Sequence, residues 1–132
     1  MSNNHCNTAS AVTLVTTAET AVVTVTPFNT SSPGGEGVSI SGSLNITTGT
    51  ATTAVVIRVR QGSGVAGTVV GAALTYTIGA AVSATIPYDV LDTTALSATG
   101  QQYTVTAQQT AASANGTVNL ATVNAESSSV VE

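Results

Sequence analysis

Apolar and polar positions alternate with a period of two along most of this chain, and no stretch carries a 3.6-residue apolar stripe. Val55, Ile57 and Val59 share one side of a segment whose other side carries Val56, Arg58 and Arg60. Tyr103, Val105 and Ala107 alternate with Thr104, Thr106 and Gln108 in the same way. Val, Thr and Ile dominate these runs. Branching at Cβ stiffens χ1 and suits a pleated strand better than a helix. The pattern predicts eight strands, over about 11–16, 20–27, 38–47, 53–61, 68–78, 82–88, 101–109 and 117–124. In the third, Val38, Ile40, Leu44 and Ile46 share a face with Gly42, which marks a bulge or a close contact. In the eighth, Val118, Leu120 and Thr122 are expected on one face, with Asn119, Ala121 and Val123 on the other.

Between these runs stand turn formers. The stretch 27–37 (PFNTSSPGGEG) and the stretch 89–100 are longer than a hairpin needs, and they fit Greek-key or jelly-roll crossovers. The fold class that follows is all-β, an antiparallel eight-stranded β-sandwich of jelly-roll or Greek-key type. One domain is expected over 11–125, flanked by a flexible N-terminal arm (1–10) and a C-terminal tail (126–132), both poor in apolar residues.

Charge changes the picture most. Charged residues are 6% of the 132, against about 25% in an ordinary soluble domain. The basic residues are Arg58 and Arg60, the acids are Glu19, Glu36, Asp89, Asp92, Glu126 and Glu132, and the net charge is -4. Such a chain neutralises few phosphates and is repelled by an anionic membrane, so neither nucleic acid nor membrane is expected as a partner. No apolar run approaches the length of a membrane span, and residues 1–10 (MSNNHCNTAS) show no basic segment followed by an apolar one, so synthesis in a cytoplasm is expected. A surface of Ser, Thr, Asn, Gln and Ala lacks the charge repulsion that keeps monomers apart. Coverage by copies of itself or by a larger shell is the expectation, with a hydroxyl-covered monomer as the alternative.

Candidate chemistry is sparse. His5 beside Cys6 offers two metal ligands where zinc asks for three or four, so no metal or cofactor is expected there. Asp89 and Asp92 raise paired-carboxylate hydrolysis and a Ca²⁺ site, but the chain has no Trp, one Phe and three Tyr to line a sugar cleft. Capping of turns in PYDVLD is the simpler reading of these two acids. GSGVAG is followed by Thr-Val-Val rather than a helix and fails as a phosphate loop. No catalytic residue and no enzymatic activity are expected. Arg58 and Arg60 point to one sheet face and need acids, with Asp89, Asp92 and Glu36 as candidates, either within the chain or across a subunit interface. Those four residues, Arg58, Arg60, Asp89 and Asp92, are the interface candidates.

The stretches AVVIRVRQGSGVAGTVVG, PYDVLD and GQQYTVTAQQTAASANGTVNLATV, in that order, resemble the layout of small single jelly-roll virion proteins of tailed bacteriophages, the capsid decoration proteins in particular. The resemblance spans about residues 11–125 and carries no diagnostic motif. It implies a β-sandwich that clusters with itself, often as a trimer, on the outer surface of a phage head and bridges subunits of the major capsid protein. It offers no catalytic or binding residues to carry over. Two other roles stay open at this point. One is a subunit of an extracellular filament or surface layer joined by strand exchange, with AVTLV as a donated strand. The other is a carbohydrate-binding tail or adhesin module.

Overall fold

A computed structural model describes residues 2–14, 17–31, 37–92, 97–111 and 114–128. It contains β1 (Ser2–Thr13), β2 (Thr20–Thr24), β3 (Phe28–Ser31), β4 (Gly37–Thr47), β5 (Thr53–Gln61), β6 (Val69–Ile78), β7 (Ser83–Asp92), β8 (Ser97–Gln101), β9 (Tyr103–Gln109) and β10 (Thr117–Ser128). The pairing is that of one long hairpin. β1 pairs with β10, β2 with β9, β3 with β8, β4 with β7 and β5 with β6, all antiparallel. Two further ladders, β10 with β4 and β5 with β9, wrap that hairpin on itself. The outcome is two four-stranded sheets, β1-β10-β4-β7 and β2-β9-β5-β6, with β3-β8 as a separate ribbon. This is the strand order of a jelly-roll sandwich, in which eight strands form the two sheets.

The core lies between the sheets and follows the period of two. Val38, Ile40, Leu44 and Ile46 of β4, Val55, Ile57 and Val59 of β5, and Tyr103, Val105 and Ala107 of β9 are all buried. Each such aliphatic side chain contributes roughly 1.5–3 kcal/mol on burial.

The strands extend beyond the sequence reading in five places, two of them the paired ribbon strands β3 and β8, which fall in the stretches expected as long connections. The stretch expected as an arm, 1–10, lies in β1 from Ser2 onward, hydrogen-bonded along β10 from Ser2↔Ser128 to Thr13↔Thr117. Backbone pairing needs no apolar side chain, so a run of Asn, Ser and Thr is held at a sheet edge by its neighbour's ladder. Glu126–Ser128 belong to β10, and 129–132 lie outside the described residues. PYDVLD is the second half of β7 rather than a turn, with Tyr88 opposite Gly42 and Asp92 opposite Val38. Pro87 is tolerated because β7 is an edge strand.

A bulge overturns the expected faces of the last strand. The register of β10 on β4 shifts between Val118 and Leu120, which inserts Asn119 as an extra residue. In β1 the facing Ala11 takes φ 47°. Across the bulge the inward set is Val118, Ala121, Val123 and Ala125, and Leu120 is 47% exposed. One additional residue reverses every side chain beyond it.

Gly42 marks a close contact. The register of β10 on β4 is the same on either side of it, Ala121↔Leu44 and Asn124↔Ser41, and the Thr122 carbonyl accepts a hydrogen bond from Tyr88 Oη at 2.6 Å. A Cβ at Gly42 would overlap the Thr122 carbonyl oxygen and lie 2.7 Å from Tyr88 Oη. Ser43 N turns instead to Thr122 Oγ1, 3.0 Å away. Burial pushes the Tyr88 phenol above its ordinary pKa, so it stays a donor.

Candidate functional site

The outer face of the β2-β9-β5-β6 sheet carries both cations of the chain. Val59 points into the core, so Arg58 and Arg60 stand together on the opposite face, as the alternation of β5 requires. Glu19 sits one residue before β2, whose neighbour β9 separates it from β5. From there its carboxylate reaches over Thr106. Arg60 grips it with two charge-assisted hydrogen bonds, Nε to Oε2 at 2.6 Å and Nη2 to Oε1 at 2.8 Å. Thr106 Oγ1 donates to Oε2 at 2.5 Å. Arg58 Nη1 stands farther off, 3.6 Å from Oε1, and donates to Gln108 Oε1 at 2.7 Å. Arg60 Nη1 donates to the Gly67 carbonyl at 2.7 Å. The Arg60 hydrogen bonds hold the Glu19 carboxyl below the usual range and raise Arg60 in turn. Two guanidinium groups thus share one carboxylate.

The acids expected to serve Arg58 and Arg60 go elsewhere. Asp89 and Asp92 are three residues apart in one strand, so they face opposite ways. Asp89 is exposed. Asp92 is 3% exposed and turns inward, where Tyr103 Oη donates to it at 2.7 Å and Gln61 Nε2 at 3.0 Å. Burial, then Asp92, pushes the Tyr103 phenol above its ordinary pKa. The split removes any shared carboxylate site between Asp89 and Asp92, hydrolytic or Ca²⁺-binding. Glu36 lies outside the described residues. Glu19 was not foreseen as the partner. Its proximity depends on β9 lying between β2 and β5, a relation that no local pattern encodes.

At the sheet edge, Cys6 is exposed and its Sγ lies 3.2 Å from Asn124 Oδ1. Among the described residues no three His, Cys, Asp or Glu side chains converge to hold a metal ion. An open groove of about 290 Å³ runs between β6 and β7, lined by Leu74, Tyr76, Pro87, Tyr88 and Asp89. Tyr76 Oη bridges it, donating to the Pro87 carbonyl at 2.7 Å. No helix among the described residues is long and apolar enough to cross a membrane.

The outer face of the other sheet is uncharged over its centre and bonded to itself. Asn119 Nδ2 donates to Asn45 Oδ1 and to Thr47 Oγ1, both at 2.8 Å. Asn45 Nδ2 donates to Thr85 Oγ1 at 2.9 Å, and the Thr47 and Ser83 hydroxyls are 2.6 Å apart.

These features define a class of fold, a jelly-roll sandwich without a catalytic constellation among its described residues. Solved structures share that architecture. The chain is similar to a protein in the structure of infectious bursal disease virus, Gx strain (TM-score 0.59, 11% identity, 98% of this chain and 32% of that one). It is also similar to the VP2 subviral particle of the same virus (TM-score 0.52, 12% identity, 96% of this chain and 32% of that one). The chain spans about a third of the length of these viral proteins. A subunit of Bacillus endospore appendages, described as disulfide-linked pili, matches at a TM-score of 0.44 with 18% identity over 98% of this chain and 88% of that one. No family model matches the sequence, and neither does any curated protein.

Proposed function

We propose that this protein is a non-enzymatic structural subunit of an assembled particle, and specifically a decoration protein on the outer surface of a phage head. The observation that carries the reading is the uncharged centre of the outer face of the β1-β10-β4-β7 sheet. Its Asn, Thr and Ser side chains already bond to one another across the strands. A neighbour that covers them removes little hydration that is not already replaced, so the usual cost of burying polar groups is small. Leu91 and Leu120, 50% and 47% exposed, add apolar area at the sheet surface. The similarity to capsid proteins supports a fold suited to this role. The partners would be further copies of the chain, as a trimer or another oligomer, and the major capsid protein. Ser2 and Ser128 lie side by side at one end of the sheet, and that end of the sandwich would meet a capsid joint.

Sedimentation velocity across a concentration series, with and without capsids stripped of accessory proteins, tests the proposal. Self-association and saturable capsid binding are expected. A chain that stays monomeric and leaves capsids unbound would refute it. A filament built by strand exchange is the second reading, favoured by β6 and β7 each ending its sheet beside an apolar groove. Negative-stain electron microscopy separates the two, because only this one gives fibres from the chain alone without addition of capsids.

A further inference from the structure

The charge pattern points to a head-to-tail contact between copies of this chain, and we infer that Asp89 of one copy docks on Arg58 of the next. The inference rests on the structural role proposed above and adds its geometry. Glu19 satisfies Arg60 bidentately but stands 3.6 Å from Arg58, so the triad keeps one positive charge in excess. The Arg58 side chain is 25% exposed. Beside it on the outer face of β5 stands half-buried Val56.

The acid that fits is on the same chain but at a different surface. Among the described carboxylates, Glu19 is engaged, Asp92 is buried and Glu126 is half-buried, whereas Asp89 is exposed and both described guanidiniums pair with Glu19 instead. Asp89 lies on the outward side of edge strand β7 between Pro87 and Leu91, both exposed. Residues two apart on a strand are about 6.6 Å apart, so the Pro87–Asp89 step on β7 matches the Val56–Arg58 step on β5. Apolar meets apolar and charge meets opposite charge in a single register. A pair of this kind sets orientation, while Pro87, Leu91 and their surroundings supply the buried area. The two patches are different surfaces of the molecule, so the contact is heterologous. A small closed ring, such as the trimer proposed above, satisfies it, whereas a two-fold dimer does not.

A charge-swap series on the full-length chain tests this. The variants are Arg58→Glu, Asp89→Lys and an equimolar mixture of the two, compared with wild type by sedimentation and native mass spectrometry. Each single variant places like charges at the contact and is expected to weaken association about tenfold, or about 1.4 kcal/mol. In the mixture both kinds of junction become complementary. The unchanged Asp89 of one variant meets the unchanged Arg58 of the other, and the introduced lysine meets the introduced glutamate. Association therefore returns, with the two variants alternating. Arg58→Glu also sets a second acid beside Glu19. Arg58→Gln therefore accompanies it, removing the charge without adding an acid, and is expected to weaken association by about half that free energy. Wild-type association that none of these variants alters overturns the inference and leaves the structural role standing. A wild type that neither self-associates nor binds a capsid removes both.

Discussion

Replacing Gly42 by alanine adds one methyl group where the fold has no room for it. The hydrogen in that position faces the Thr122 carbonyl and the Tyr88 hydroxyl, and a Cβ there overlaps the carbonyl oxygen. That oxygen belongs to the backbone of β10, the strand that ties β1 to β4. It cannot swing aside as a side-chain tip would. Two costs follow. Forcing extra volume into a close-packed interior costs roughly 1–3 kcal/mol. Moving the Thr122 carbonyl away from Tyr88 Oη, now 2.6 Å distant, leaves a part-buried acceptor unsatisfied, at roughly 1–3 kcal/mol. The sum, about 2–6 kcal/mol, is a large share of a typical domain stability of about 5–15 kcal/mol.

Urea unfolding followed by tyrosine fluorescence measures it. With a slope of about 2 kcal/mol/M, Gly42→Ala moves the midpoint down by about 1–3 M. Tyr88→Phe removes only the hydroxyl and is expected to cost about 1–3 kcal/mol. The double variant must cost less than the two singles together, because both disturb the same carbonyl. A Gly42→Ala protein within about 0.5 kcal/mol of wild type, the range of an ordinary surface change, would refute the close-approach argument.

Glu19→Gln is expected to cost about 1–2 kcal/mol near neutral pH, read by the same unfolding assay. Because the folded-state pKa of Glu19 is depressed, its contribution is present above the ordinary carboxylate value and is lost as pH falls through the lowered one. The stability difference between wild type and Glu19→Gln should therefore shrink below about pH 4, and a difference independent of pH would contradict the triad. Tyr103→Phe withdraws a donor from the buried Asp92 carboxylate and is expected to cost about 2–3 kcal/mol, whereas Tyr76→Phe, at the rim of the groove, should cost under about 1 kcal/mol. Equal losses would place Asp92 outside the core. The bulge in β10 predicts that Leu120→Ser changes stability by less than about 0.5 kcal/mol while Val123→Ala costs about 1–3 kcal/mol, and the reverse order in thermal melts would restore the unbulged register.

Much of the sandwich was legible because burial and strand geometry share the period of two. Val55, Ile57 and Val59 fall inward and Arg58 outward in a strand with a neighbour on each side, and a linear pattern can express that. Gly42, placed in register with four apolar neighbours, signalled its close contact for the same reason. The pattern stopped being informative where the ladder, rather than the side chains, holds the strand. Ser2–Ser10 carry little apolar content, yet they pair along β10. It also stopped where parity breaks. Asn119 is a single extra residue, and no local propensity distinguishes a strand that contains it from one that does not. Every face assignment beyond it therefore inverted.

The charged site failed to emerge from the sequence for a third reason, adjacency. Arg58 and Arg60 announced a need for acids, and the candidates were Glu36, outside the described residues, and the pair Asp89 and Asp92. Once PYDVLD is a strand, their odd spacing alone forbids a common site, and the inward one must find buried donors, as Asp92 does in Tyr103 and Gln61. Glu19 is 41 residues from Arg60 in sequence. It becomes a neighbour only because β9, arriving from near the far end of the chain, inserts between β2 and β5. A long hairpin wrapped on itself brings distant segments together in pairs, so its polar contacts are set by the wrapping. Among the described residues wrapping delivers one carboxylate to this face against two guanidiniums, and that shortfall gives the face its reason to meet a second molecule.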